Sequence, residues 1–138
     1  MMIDFKIEVS GLDIKTLNLE RPIERLLEEA ADYTEKTLKE KAPKKTGRLR
    51  RSIHKKVGRY EAEIGPTAPY AFHVEYGTRP HIIRPIRARA LRFEVGGRIF
   101  FARLVHHPGT KPQHFVRETA EELKRYIPRL AGEVFRLV

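Results

Sequence analysis

Six histidines, His54, His73, His81, His106, His107 and His114, are the residues with the most evident capacity for chemistry, since imidazole binds divalent metals and moves protons near neutral pH. Their spacing does not define a ligand set. There is no HExxH or His-x-His pattern, and the adjacent His106 and His107 would point to opposite faces of a strand. Solvated loop histidines are the plainer reading. The chain has no cysteine, which excludes disulfides, thiolate metal sites and thiol nucleophiles together. Serine occurs only at Ser10 and Ser52, neither within GxSxG, and no glycine-rich phosphate loop or dinucleotide fingerprint is present. Acyl transfer and nucleotide hydrolysis are therefore not expected. The only aspartates are Asp4, Asp13 and Asp32, thin material for a two-metal nuclease even with Glu61, Glu63 and Glu75 added. Those glutamates read more simply as the wet face of a hairpin and a turn residue. The expectation is no catalytic residue, no cofactor and no metal.

The charge is more informative than any reactive group. The formal net charge of +10 is uneven: Met1 to Leu38 carries −4, Lys39 to Arg59 carries +9, and Arg79 to Arg117 carries +8. Such an excess suits nucleic acid, an acidic protein surface, or the acidic segment of a neighbouring copy. The run KAPKKTGRLRRSIHKK would release several counterions from a phosphate backbone. It lacks the interleaved aromatics that stack on bases, and it aligns with no nucleic-acid-binding motif. A basic nucleic-acid-binding or nuclease-like module thus stays as the alternative to a protein-binding one.

The elements that must position these residues follow from apolar periodicity. With 138 residues, 41% hydrophobic and 33% charged, the chain suits one core, and a single domain over residues 1–138 is expected. No stretch approaches the roughly 20 apolar residues of a membrane span, and the N-terminus lacks a signal-peptide core, so no membrane contact is expected and synthesis in the cell interior is. Asparagine appears only at Asn18 and glutamine only at Gln113, a composition that fits a thermophilic source. Ile3, Phe5, Ile7 and Val9 alternate as in a half-buried strand. Ile23, Leu26, Leu27, Ala30, Thr34 and Leu38 recur at helical spacing and predict a helix from Glu20 to Ala42, with Pro22 in its first turn and Pro43 stopping it.

Lys44 to Arg51 reads as a basic surface loop around Gly47, with a short turn capped by Thr46. Ile53 to Ile64 reads as a hairpin; Pro69 to Tyr76 is too short to classify by periodicity, but Gly77 is well placed to end a single helical turn, and Arg79 to Ala90 reads as an extended connection. Leu91 to Val95 and Arg98 to Val105 form a second hairpin about Gly96-Gly97. A last helix from Lys111 to Phe135 follows, in which Pro128 is a candidate kink. Each helix has one apolar stripe and each strand one apolar face, which predicts an α+β fold, an antiparallel β-sheet packed by the long N-terminal helix and the C-terminal helix. Ile23, Leu27, Ala30, Leu38, Phe93, Phe115, Leu123 and Ile127 are the expected core.

Three segments in order resemble the phage head-to-tail joining proteins, also called tail-completion or neck proteins, of lambdoid and similar long-tailed phages. The first is Ala42-Pro43 followed by Thr46-Gly47-Arg48-Leu49-Arg50-Arg51-Ser52-Ile53. The second is Tyr70-Ala71 with Val74-Glu75-Tyr76-Gly77-Thr78. The third is His107-Pro108-Gly109-Thr110-Lys111-Pro112 with Phe115, preceded by Ala90-Leu91-Arg92-Phe93. His114 departs from the family, which more usually has a small residue or proline there. The resemblance implies a structural, non-enzymatic virion protein of a phage or provirus, made in the host cytoplasm. It further implies a ring, hexameric in the virion, that contacts portal-connector and tail-tube proteins and admits non-specific contact with DNA. The motif residues Thr46, Gly47, Leu49, Arg50, Ser52, Tyr76, Gly77, Thr78, His107, Pro108, Gly109 and Thr110 are the implied subunit interface. Physically they are turn-formers and backbone hydrogen-bonders, and Lys44 to Lys56 is the expected assembly surface.

Overall fold

The computed structural model describes residues 3–10, 18–45, 47–85, 89–95 and 97–136, with backbone alone at 83, 91, 93–95, 100, 102 and 105. Alternating Phe5–Glu8 form strand β1, and Ile53–Val57 and Glu61–Pro66 form the hairpin β2–β3. These three make an antiparallel sheet in the order β1-β3-β2, with Phe5 opposite Ile64 and Val57 opposite Ala62. Helix α1, Glu20–Lys41, lies across this sheet, and the second long helix, α4, Phe115–Arg136, packs along α1. The fold is α+β, with antiparallel strands and the two expected long helices.

α1 carries two adjoining apolar stripes because it is covered on two sides. Ile23, Leu27, Ala31 and Leu38 join Ile53, Ala62 and Ile64 of the sheet, while Leu26 and Ala30 meet Leu130 and Val134 of α4. Both helices were expected to pack on the sheet; α4 instead lies chiefly on α1. The two helices are antiparallel. Lys41 pairs with Glu122 at 3.0 Å near one end, and the rings of Tyr33 and Tyr126 stack at 3.7 Å further along. The Lys41 ammonium holds the Glu122 carboxyl below its ordinary range. α1 stops where expected: the Ala42 N–H bonds to the Leu38 carbonyl at 2.8 Å, and Pro43 has no N–H to continue the ladder. α4 runs through Pro128 as one helix.

Several details differ from the expectation. Arg48–Ser52 is a five-residue helix, α2, rather than an open loop, because Gly47 turns left-handed (φ 74°) and Leu49 reaches the core at 3% exposure. Ala71–Tyr76 forms α3, as anticipated. The presumed extended connection contains β4, His81–Ile83, and the return strand breaks at Arg103-Leu104 into β6, Arg98–Ala102, and β7, Val105–His107. β4 pairs with β7, and β5, Leu91–Val95, pairs with β6. Among the described residues neither two-stranded ladder joins the main sheet or packs substantially on another element. Finally, Ile127 is only half-buried, since its turn of α4 faces the rim of the Leu26 cluster. The side chain of Phe93 lies outside the described residues. Ile23, Leu27, Ala30, Leu38, Phe115 and Leu123 are buried as expected.

Leu27 is fully buried between sheet and helix, so Leu27→Ala should lower the unfolding free energy by roughly 2 to 5 kcal/mol. Ile127→Ala should cost clearly less, and urea denaturation of both variants decides whether the buried face of α1 is assigned correctly.

Candidate functional site

The three segments that carry the resemblance come from three parts of the chain and meet at one end of the molecule, beside the C-terminus of α1. In the first, Gly47 precedes α2, and its carbonyl accepts the Arg51 N–H at 2.9 Å. The Ser52 hydroxyl donates to the Leu49 carbonyl at 2.7 Å and closes the helix, and the Ser52 carbonyl accepts both the N–H and the hydroxyl of Thr67 at 3.0 Å. These bonds lock α2 to the hairpin. Arg50 is exposed; Thr46 lies outside the described residues.

The second and third segments face each other directly. Thr78 and Thr110 exchange backbone hydrogen bonds at 3.1 Å, and their hydroxyls lie 3.1 Å apart. Gly77 and Gly109 flank this clasp with φ of 74° and 84°. A Cβ on Gly77 would fall 2.5 Å from the Thr110 carbonyl oxygen, and one on Gly109 would press into the Thr78 carbonyl oxygen. Glycine is thus required on both sides twice over, for the left-handed backbone and for the close approach. His107 contributes an acceptor: its Nδ1 takes the Gly109 N–H at 3.0 Å, and its ring stacks on His81 at 4.8 Å. Pro108 is exposed beside it, as is Tyr76 at 56%.

The residue that sequence reasoning missed is Glu75. It is 2% exposed, and its two carboxylate oxygens accept the N–H groups of Val116 at 2.7 Å and Arg117 at 2.9 Å. Val116 and Arg117 occupy the first turn of α4, where backbone donors have no partner within the helix. The carboxylate therefore caps α4 from a different element and lies at the positive end of its dipole. His114, with φ 49°, turns the chain into α4, and its Nδ1 is 3.9 Å from Glu75. A proline could not adopt that φ, so the departure from the family's usual residue has a local backbone reason. Only a segment spacing, Val-Glu-Tyr-Gly followed some forty residues later by a helix start, could have hinted at this tie.

Glu75 is thereby separated from the other carboxylates once considered with it. Glu61 and Glu63 are exposed on β3, with Glu61 paired to Lys6 at 3.4 Å. Among the described residues no group of three or more histidines or carboxylates is arranged to hold a metal, and no helix there is long and apolar enough to cross a membrane.

Between the first and second segments lies an open groove of about 510 Å³, lined by Pro43, Lys45, Arg48, Leu49, Arg51, Tyr70, Val74 and Gln113. Its floor is apolar and its rim cationic. The Arg48 guanidinium stands 5.9 Å over the Tyr70 ring. Lys44, Lys45 and Arg50 are exposed nearby, whereas Lys55 is turned to Asp32 of α1 and Arg59 to Glu20 at 3.9 Å. Part of the basic segment is therefore satisfied by the chain's own first helix, and the Asp32 carboxylate raises the Lys55 pKa.

Such an arrangement holds elements together and leaves a charged, apolar-floored groove open at the surface. Residues 13–77 match the family described as "Bacteriophage HK97-gp10, putative tail-component". That match covers the first segment and most of the second, in keeping with the resemblance to head-to-tail joining and tail-completion proteins. No curated protein and no solved structure matches the chain.

Glu75→Ala leaves two helix donors without an acceptor and should destabilise by roughly 1 to 3 kcal/mol, whereas the exposed Glu63→Ala should stay within about 0.5 kcal/mol. Equal urea midpoints for the two variants would show that the cap carries no weight. Gly97, at φ 81° with open space where a Cβ would go, is the control for the clasp. Gly97→Ala should cost about 1 to 2 kcal/mol from backbone conformation alone, and Gly77→Ala and Gly109→Ala should each cost more, because the facing carbonyl must also move.

Proposed function

We propose that this chain is a structural subunit of a tailed-phage or provirus virion and not an enzyme. As a single joining domain it builds a ring, hexameric in the virion, at the head-to-tail joint, between portal-connector and tail-tube proteins. It is assembled in the host cytoplasm, and its scarcity of asparagine and glutamine suits a thermophilic host. The observation that carries this reading is the tail-component match over residues 13–77, with the family-like segments gathered around one groove and one clasp. Their side chains are spent on turns, caps and ties, and what they leave exposed is a cationic rim.

The rim fits an acidic protein surface: charge complementarity guides association and fixes register more than it adds affinity. Duplex DNA is the other anionic partner the rim could meet, and the same variants separate the two. Lys44, Lys45 and Arg50 are exposed, while the Arg51 guanidinium lies against Gly47 and is left in place. The triple substitution of Lys44, Lys45 and Arg50 by Ser should leave the melting temperature unchanged and reduce attachment of tails to filled heads. In the unsubstituted protein attachment should weaken as salt rises, because the screening length falls from about 10 Å at 0.1 M to about 3 Å at 1 M. Normal attachment by the triple variant at every salt concentration would reject the surface. Loss of duplex-DNA binding by the purified variant, with attachment intact, would move the rim to the nucleic-acid reading.

A further inference from the structure

The two ladders between Arg79 and His107 form an arm that is rooted at the clasp and carries unusual surface. A two-stranded ribbon is marginal in water without something to cover it. This one leaves Phe101 68% exposed and Ile99 51% exposed. Both lie on one face, since Arg92 stands opposite Phe101 and Glu94 opposite Ile99 in the antiparallel register. The arm is also strongly basic: seven arginines and one glutamate fall between Arg79 and His107. The strip has Arg92 and Glu94 at register positions on its own face, and the arginine excess of the arm as a whole favours a surface that is both apolar and acidic.

The described surface of the same chain contains one. At the N-terminal end of α1 a groove of about 400 Å³ is lined by Glu20, Glu24 and Glu28 on one wall and by Val57, Gly58 and Tyr60 on the other, with Arg59 at its edge. Val57 is a further exposed apolar residue, at 39%. Arg59 lies over the Tyr60 ring and near Glu20, which leaves Glu24 and Glu28 exposed to an incoming cation.

The root of the arm and the groove sit at opposite ends of α1. The arm leaves the clasp next to the start of α4, whose Glu122 pairs with Lys41 near the C-terminus of α1, while the groove contains Glu20 at its N-terminus. Those ends are separated by 22 residues, about 33 Å at 1.5 Å per residue. Among the described residues of one copy Phe101 stays 68% exposed. A basic-apolar projection at one end and an acidic-apolar groove at the other make a head-to-tail pair of surfaces, the kind that closes into a ring when the rotation between copies permits.

We infer that the Arg79–His107 arm docks, through Ile99 and Phe101 with Arg92, in the Glu24–Glu28–Val57–Tyr60 groove of a second copy of this chain. This rests on the ring reading and specifies its interface. The absence of cysteine makes the test direct. Phe101→Cys and Val57→Cys are placed in separate full-length chains, mixed in equal amounts at submillimolar concentration and oxidised. The mixed disulfide should exceed either self-disulfide at least tenfold and should fall at 1 M salt. Phe101→Cys with Glu24→Cys guards against a local defect in the Val57 variant and should behave alike. Both substitutions in one chain should give a covalent series that ends at the ring number.

A dominant Phe101→Cys self-disulfide would overturn the inference in favour of a two-fold arm contact. So would maleimide labelling of that cysteine slowed tenfold by a duplex oligonucleotide and not by a second copy. Oligomers seen by light scattering without the mixed disulfide would reject this interface and leave the ring standing. A monomer without the mixed disulfide would reject the interface, while the ring itself is still decided by tail attachment.

Discussion

The arrangement of the three family-like segments depends on one buried carboxylate. Removing a carboxylate from water is costly unless its oxygens are fully hydrogen-bonded, and Glu75 meets that condition by accepting two N–H groups from the first turn of α4. The same contact satisfies donors that the helix cannot satisfy itself. Beside it the Gln113 and His114 N–H groups bond to the Val74 and Glu75 carbonyls at 3.0 and 3.3 Å. α3 is thus fixed to the start of α4 while Phe115 sits fully buried in the core. Everything that follows α3, the Gly77 turn, the Thr78–Thr110 clasp and the arm, is placed by that tie.

The long elements were legible because burial on one face leaves a period in the sequence. α1 begins at the expected residue, β1 and the β2–β3 hairpin fall where alternation put them, and Gly77 ends a helical turn as its type demands. What was not legible is whatever depends on contacts between distant segments. α2 has five residues and one buried side chain, too few to show a helical period, so basic composition dominated the reading. Arg98 to Val105 is one apolar stretch, and nothing local reveals that β7 leaves β6 to pair with β4. Glu75 looked like a turn residue because its partners lie 41 and 42 positions away.

The charge map shows the same limit. Summed along the chain, Lys39 to Arg59 looked like an undivided cationic surface facing an acidic helix of another copy. In the fold the two are already adjacent: Lys55 meets Asp32 and Arg59 approaches Glu20 within one molecule. These pairs are largely exposed, so they contribute little to stability, but they divide the segment. Lys44, Lys45 and Arg50 stay exposed near the groove, while Lys55 and Arg59 are directed toward α1.

The buried core and the exposed apolar surface therefore belong to different parts of the chain. The sheet, α1 and α4 share the buried side chains, whereas the arm joins them through backbone bonds between Thr78 and Thr110 and a pair of glycines that let two turns touch. A connection made of backbone at close range fixes direction without requiring apolar burial, and a segment with few buried contacts opens at lower free energy than the core. Ordering such a ribbon costs conformational entropy that its own two strands offset poorly. A covering surface lowers that cost by removing Ile99 and Phe101 from water. The core is complete within one copy, whereas the arm keeps Ile99 and Phe101 exposed there.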